Sequence, residues 1–220
     1  MIARLTVSAA LAFAAAGTAQ AQYARRQPAK PAMAEAARVI HSWSSCTAKR
    51  HRGDARQLLQ MDYRTEQYDD ALRKLARKSQ NCLYPGDEIR IHGSLLFAGG
   101  LAEALYERDH AQFDVEAFGR RLAAAPAITA RDNVEMIGLC VARRAHGNVR
   151  AMLVTKPASA EERAAIATLT PTFEECVAAG MHARMSRAAL RSLFALGLYR
   201  WSLDASVVAD ARNAKLTANA

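Results

Sequence analysis

Apolar residues recur along the chain at intervals of three and four, which places them on one face of an α-helix. In the segment 35–49, Val39, Trp43 and Cys46 follow this spacing. A later segment carries a longer stripe, formed by Tyr68, Leu72, Leu75, Ser79 and Cys82. The pattern predicts amphipathic helices that each turn one side toward a shared core.

Polar residues at the ends of these stripes predict where individual helices begin and stop. Thr65 can cap the helix that carries Tyr68. Ser159 and Glu162 have the spacing of a capping box, in which each side chain bonds the other residue's backbone N–H. Pro171 falls inside the helix that follows, so we expect a kink or a restart there with Thr170 as a new cap.

Composition supports an all-α fold. Of the 220 residues, 49 are Ala, whereas Val and Ile together number 17 and aromatic residues make up 6%. Ala is the strongest helix former, and sheets depend on β-branched and aromatic residues. An all-β domain is therefore excluded and an α/β sheet is disfavoured. The apolar content of 51% with only 23% charged residues also argues against a disordered chain.

The first residues have the features of a secretory signal peptide over 1–21. Arg4 precedes a short apolar run, and Ala19-Gln20-Ala21 is a small-x-small cleavage site. We expect a periplasmic or secreted protein, with a flexible basic lead over 22–33 and a formal charge of +8 once Arg4 is removed from the total of +9. We expect no transmembrane segment in the mature chain, because its apolar runs are shorter than the roughly 20 residues that a span needs.

Export makes disulfides the expected state of an even number of cysteines. Four cysteines allow three connectivities. Both Cys46 to Cys82 and Cys140 to Cys176 are separations of 36 residues. The equal spacing favours the pairs Cys46–Cys82 and Cys140–Cys176.

The equal spacing belongs to a wider internal similarity. A shift of 94 residues brings Cys46 onto Cys140 and yields 11 identities over the 45 positions of 46–90. We therefore expect two homologous halves, about 34–108 and 129–203, within a single helical domain over 34–208. A linking helix is expected at about 114–125 and a frayed tail over 209–220.

One resemblance rests on the recurring order of Cys, Arg, a Leu-rich short helix, a second Cys, a Gly and finally LAEALY at 101–106. In this order the chain resembles a group of exported all-helical proteins of alphaproteobacteria, chiefly sphingomonad-like ones, for which no activity is known. The resemblance covers nearly all of the expected mature chain. It implies an exported helical fold and no catalytic residue.

Residues with catalytic or metal-binding potential do not form a recognised motif. Cys140, His146, Cys176 and His182 are two Cys-x5-His pairs, but residues six apart on a helix do not face the same way. The expected disulfides leave no thiol as a nucleophile, and neither G-x-S-x-G nor S-x-x-K is present. We expect no catalytic residue, no cofactor and no metal site.

Six arginines recur at matching positions of the two expected halves, namely Arg50, Arg56, Arg90, Arg144, Arg150 and Arg184. One hypothesis is a pair of anion-binding sites, since the guanidinium fork suits carboxylates and phosphates. The other, which we favour, is structural: arginines complement helix C-termini and form internal ion pairs.

These observations favour a non-catalytic interaction or scaffold protein whose ligand the sequence does not identify. The alternative is a hydrolase that acts on envelope material, with its site between the two halves. The net positive charge predicts an acidic envelope component or protein as partner. Nucleic acid is not expected, because no basic run is interleaved with aromatic residues.

Overall fold

The computed structural model describes residues 30–83, 95–110, 128–181 and 183–218. Within these ranges the chain is all-helical, with no strand, which confirms the predicted all-α class. We call the first two of these ranges the first segment and the last two the second segment. The first segment contains α1 (Lys30–Arg50), α2 (Arg52–Gln60), α3 (Glu66–Lys78), a 3-10 turn (Gln80–Cys82) and α4 (Leu95–His110). The second contains α5 (Asn133–Arg144), α6 (His146–Leu153), α7 (Ala160–Cys176) and α8 (Arg187–Ala218).

The core lies around α8. The described residues from Ala34 onward form one compact unit, in which α8 packs most extensively against α4 and α5. Leu101 and Leu105 of α4 and Phe194 and Leu198 of α8 are fully buried. None of the described helices is both long enough and apolar enough to cross a membrane.

Predicted caps set the start of two helices. The Thr65 side chain accepts a hydrogen bond from the backbone N–H of Tyr68, and the Ser159 side chain accepts one from Glu162. Each bond satisfies an N–H that has no partner within its own helix. The Ser159 half of the predicted capping box is therefore confirmed, but the Glu162 carboxylate accepts from the N–H of Ala158 at 2.9 Å, one residue before the predicted partner Ser159.

Trp43 fastens α1 to its neighbours. Its ring lies 4.3 Å from that of Phe97 in α4, and its indole N–H donates to the carbonyl of Ser79 at 3.0 Å. The large ring is therefore buried without leaving its polar N–H unpaired.

Both predicted disulfides are present. Cys46 of α1 is bonded to Cys82, and Cys140 of α5 is bonded to Cys176 of α7. Each bond closes a loop over a separation of 36 residues. On loop-entropy grounds, each contributes roughly 4 kcal/mol to the free energy of unfolding.

The structure departs from the sequence predictions at three places. Pro171 lies inside the continuous helix α7, and the Thr170 hydroxyl donates to the carbonyl of Ile166, so the predicted restart with a Thr170 cap is wrong. Helix α8 continues to Ala218, through most of the predicted frayed tail. Helix α1 begins at Lys30, inside the segment predicted as a flexible lead. The predicted signal peptide and linking helix lie outside the described residues.

Candidate functional site

An apolar cavity of about 200 Å³ lies where helices of the first segment meet helices of the second. We call it the central cavity. The side that belongs to the first segment is formed by Leu59, Met61, Tyr63, Tyr68, Leu95 and Ala98. The other side is formed mainly by Val134, Gly138, Leu193, Leu196, Gly197 and Tyr199.

Two glycines bring α5 and α8 into close contact beside the central cavity. A Cβ atom built on Gly197 would lie 2.2 Å from the backbone carbonyl oxygen of Gly138. No side chain fits at that distance, so the helix backbones touch at this point. The absence of side chains at these two positions shapes one wall of the cavity.

Two tyrosines form an aromatic wall of the central cavity. The rings of Tyr63 and Tyr68 lie edge to face, with centroids 6.4 Å apart. The guanidinium of Arg131 lies 5.8 Å from the centroid of the Tyr63 ring. Burial and the nearby carboxylate of Asp132 raise the pKa of Tyr63, so its phenol is neutral at physiological pH.

Charged residues at the rim of the central cavity neutralise one another. Glu135 forms ion pairs with Arg131, at 3.2 Å, and with Arg200. Arg131 also donates to the carbonyl of Gln60 at 2.9 Å, which ties the residues just before α5 to the end of α2. The rim is therefore polar but carries little net charge, in contrast to the apolar interior.

A second group of residues, which we call the Arg191 cluster, lies between α4, α8 and the start of α7. The Arg191 guanidinium makes two hydrogen bonds to Glu103, at 2.9 and 2.5 Å, and one to Glu162 at 3.2 Å. It also donates to the backbone carbonyls of Met152, Leu153 and Thr155. Arg191 is 5% exposed and both glutamates are 2% exposed, so these charges are buried but paired.

His41 of α1 joins the Arg191 cluster from its more exposed side. Its Nε2 atom lies 2.9 Å from Glu103. Burial alone would raise the pKa of Glu103, but hydrogen bonds from His41 and Arg191 outweigh burial and hold that pKa below its ordinary value. The cavity beside these residues has only about 30 Å³, which is room for little more than a water molecule or two.

The two sites differ in the chemistry that they can support. The Arg191 cluster is a saturated set of buried hydrogen bonds that fixes α4, α8 and the start of α7 to one another. Among the described residues, no hydroxyl or thiol is hydrogen-bonded to His41, so the cluster holds no activated nucleophile there. The central cavity, by contrast, has an apolar interior and a polar rim, as small-molecule binding sites do.

A wider groove of about 780 Å³ lies along α7 and the chain that leads to α8. Phe173, Met181 and Met185 contribute to its apolar floor, with Arg184 at its edge. Unlike the central cavity, it is lined only by residues of the second segment. Probe-binding experiments must therefore distinguish the two.

The structure places the six repeated arginines in several settings. Arg56 bonds Asp109, and Arg144 forms an exposed ion pair with Glu175 at 3.3 Å. Arg50 and Arg144 lie in the last turns of α1 and α5, where a positive charge complements the helix dipole. Arg150 and Arg184 lie apart, on α6 and before α8, and Arg90 lies outside the described residues. Within the described residues, Arg56 and Arg144 contact separate carboxylates.

The two Cys-x5-His pairs have no sulfur ligand to offer a metal ion. Cys140 and Cys176 are bonded to each other, so neither is available as a thiolate. His146 packs edge to face against Trp201, with centroids 6.5 Å apart, and His182 lies outside the described residues. No group of three or more His, Cys, Asp or Glu residues in the described ranges could hold a metal ion.

The sequence does not mark the residues of either site as functional: Tyr68 was expected only in a buried stripe and Glu162 only in a capping box. Ala98 and Leu196 have no chemical signature, and Arg191 and Glu103 are 88 residues apart. A signal was nevertheless present: a shift of 93 residues matches Ala102, Leu105 and Tyr106 to identical residues. In the same stretch, the shift aligns Ala98 with Arg191 and Glu103 with Leu196. Such charge differences between otherwise matched positions mark both sites.

No protein-family model, no curated protein and no solved structure matches this chain.

Proposed function

We propose that this is an exported, non-catalytic binding protein whose ligand site is the central cavity. The observation that carries the proposal is an apolar space of about 200 Å³, walled by helices from both segments and bordered by a polar rim. Cavities of this kind lose packing energy when they are empty and recover it when an apolar ligand fills them.

The disulfides support the export part of the proposal. Disulfides persist in oxidising compartments and are rare in the cytosol, and the predicted signal peptide would deliver the chain to such a compartment. Periplasm and secretion both fit. Fractionation of cells that express the full chain, with a non-reducing peptide map of the mature protein, tests this part.

We also propose that the two segments are homologous halves, as the sequence suggested. Helices α2 and α6 begin at Arg52 and His146, and α3 and α7 begin at Glu66 and Ala160, so each pair starts 94 residues apart. The capping residues Thr65 and Ser159 have the same offset. These correspondences support one ancestral four-helix unit that was duplicated.

The alternative function, an envelope-acting hydrolase, would place its catalytic group at the junction of the halves. In the part of the chain that the structure describes, the feature in its favour is the His41–Glu103 pair, since a carboxylate can orient a histidine base. Glu103 is already held by Arg191, and the adjacent cavity of about 30 Å³ is too small for a substrate. Binding is therefore the better-supported function.

The excess of basic residues supports a second, separate partner of acidic character, such as an envelope component. Exposed basic residues stand at the ends of two matching helices, Lys49–Arg50 on α1 and Arg143–Arg144 on α5. Electrostatic attraction of this kind speeds encounter and weakens with salt.

Native mass spectrometry of the protein purified from its exported fraction tests the binding proposal. We expect the wild type to carry a bound small molecule that is lost in Ala98→Leu, since a leucine at this position would occupy the cavity. Ala167→Leu, at an exposed position of α7, is the matched control and should retain it. A wild type that carries nothing, and binds no apolar probe, would contradict the proposal.

A further inference from the structure

Residues that line the central cavity correspond in sequence to residues of the Arg191 cluster when one segment is aligned with the other. With a shift of 93 or 94 residues, Val134 corresponds to Ile40, and Glu135 to His41. The same shift pairs three further cavity residues, Tyr68, Ala98 and Leu196, with Glu162, Arg191 and Glu103. The chain therefore contains two versions of one location, and comparison of the two shows what distinguishes the cavity.

The volume difference has a simple origin. At one location the Arg191 side chain crosses the space between the helices and leaves about 30 Å³. At the other, Ala98 occupies the matching position, and about 200 Å³ stays open. The central cavity is thus open because Ala98 stands where the other location has an arginine. A ligand would occupy the volume that the Arg191 side chain fills there.

The walls of the two locations differ in charge. Glu103 and Glu162 hold the guanidinium in the Arg191 cluster. Their counterparts in the central cavity are Leu196 and Tyr68, which carry no charge. A charged group at that depth would lose its hydration without gaining a partner, which is strongly unfavourable. The interior therefore selects an uncharged ligand.

The volume of the central cavity and its aromatic wall further restrict the class of ligand that fits. A protein cavity of about 150 Å³ lined by apolar side chains is known to bind benzene, so a space of about 200 Å³ has room for one ring with a short substituent or two small fused rings. Tyr63 and Tyr68 stand edge to face, which offers a third ring both a face and an edge.

We propose that the central cavity binds a small uncharged aromatic molecule of one or two rings. This inference rests on the proposed binding function and specifies the ligand class of the same site. The ring lies against Tyr68 and Leu196, in the space that Arg191 fills at the matching location. Any polar substituent points toward the rim at Arg131 and Glu135.

Three probes with one carbon skeleton test the ligand class. Benzyl alcohol is aromatic and uncharged, cyclohexylmethanol is saturated and uncharged, and benzoate is aromatic and charged. Their dissociation constants for the full mature chain can be compared by ligand-observed NMR. We expect benzyl alcohol to bind roughly 2- to 10-fold more tightly than cyclohexylmethanol because of ring–ring contacts. We expect benzoate to bind at least about 10-fold more weakly than benzyl alcohol.

Variants locate the bound probe. Ala98→Leu should weaken benzyl alcohol binding by at least about 10-fold, while Ala167→Leu leaves it unchanged. A second pair remains informative if Ala98→Leu does not fold. Val134→Asp places a charge at the cavity mouth and should weaken binding several-fold, whereas Val154→Asp, at an exposed valine outside the cavity, should not.

The outcomes separate this inference from the function on which it rests. Equal or tighter binding of cyclohexylmethanol or benzoate overturns the aromatic or the uncharged assignment, and the binding function survives if Ala98→Leu still abolishes binding. Binding that persists in Ala98→Leu and Val134→Asp places the probe elsewhere, such as the groove beside Phe173, and overturns the inference. If no probe binds and no molecule copurifies, both proposals fail.

Discussion

Arg191 concentrates more buried polar contacts than any other side chain described above. Its guanidinium bonds two buried glutamates and three backbone carbonyls, so nearly every donor has an acceptor. Buried ion pairs of this kind add little net stability relative to apolar residues of the same shape, but removal of one partner leaves a charge stranded. The cluster therefore makes the packing of α4 against α8 specific.

A double substitution tests whether the cluster behaves as one unit. Arg191→Met alone should lower the free energy of unfolding by about 3–5 kcal/mol, because Glu103 and Glu162 lose their counter-charge. Arg191→Met with Glu103→Leu should be less destabilised than Arg191→Met alone, since one stranded carboxylate is gone. Urea denaturation of these two variants and of Glu103→Leu alone measures the losses. Strictly additive losses from the two single variants would contradict this view.

Glu103 should also contribute to the sensitivity of the fold to acid. Its pKa is below the ordinary value in the folded chain, so its stabilising effect is present above the unfolded pKa of about 4.3 and is lost as pH falls through the folded value. Glu103→Gln should therefore cost about 3 kcal/mol at pH 7, and this difference from wild type should shrink as pH falls below the unfolded pKa of about 4.3.

Glu107, one turn further along α4, provides a control, because its pKa is shifted in the opposite direction from that of Glu103. Partial burial and the neighbouring Glu103 raise its pKa, so its charged form is disfavoured in the folded state. Glu107→Gln should make the protein slightly more stable at pH 7, and this gain should disappear in acid. Urea unfolding midpoints at several pH values record both variants. A constant difference between wild type and Glu103→Gln at all pH values would rule out the assigned shift.

At the scale of helices, small residues at crossing points determine how closely neighbours approach. Gly197 meets the backbone of Gly138, so Gly197→Ala should force α5 and α8 apart and lower the free energy of unfolding by about 1–3 kcal/mol. Gly147, near the start of α6, has no atom within 4 Å of the position that a Cβ would take. Gly147→Ala should be stabilising by about 0.4–1 kcal/mol.

Thermal denaturation of these two variants separates the effect of the α5–α8 contact on stability from the effect of helix propensity. Both changes replace glycine with alanine inside a helix, so propensity alone would shift both melting temperatures upward. Opposite signs are expected here. If Gly197→Ala were as stable as Gly147→Ala, the close contact between α5 and α8 would not be a determinant of the fold.

Helices that combine a strong apolar stripe with a capping residue were predictable from the sequence. The stripe of α3 is buried from Tyr68 to Ser79, and Thr65 caps it as expected. Pro171 was misjudged because its effect depends on tertiary contacts. Leu169 before it is fully buried and Cys176 after it is held by a disulfide, so α7 is anchored on both sides of the missing N–H.

The central cavity could not be predicted in the same way. Its volume depends on where Ala98, Gly138 and Gly197 meet in three dimensions, and small residues in an Ala-rich chain are too common to mark such a place. The disulfide pairing, in contrast, followed from the equal spacing of the cysteines. Caps and disulfides could be predicted from the sequence, whereas the cavity depends on how helices that are distant in sequence pack together.

At the scale of the whole molecule, the two proposed partners should respond differently to salt. A ligand in the central cavity is uncharged and contacts apolar walls, so its affinity should hardly change between 50 and 500 mM NaCl. An acidic component would meet the basic surface across water, where the screening length falls from about 10 Å at 0.1 M to about 3 Å at 1 M ionic strength.

Capture of the protein on vesicles that contain anionic lipid tests this contrast, with neutral vesicles as reference. We expect capture that declines steeply with salt and is weakened when Lys49 and Arg143 are both changed to Gln, because these exposed charges end α1 and α5. Arg73→Gln, an exposed arginine already paired with Asp70, is the control and should have a smaller effect. Capture that survives high salt, or that falls as much in Arg73→Gln as in the double variant, would contradict an electrostatic contact at these helix ends. Benzyl alcohol binding in the same samples shows whether the cavity is intact.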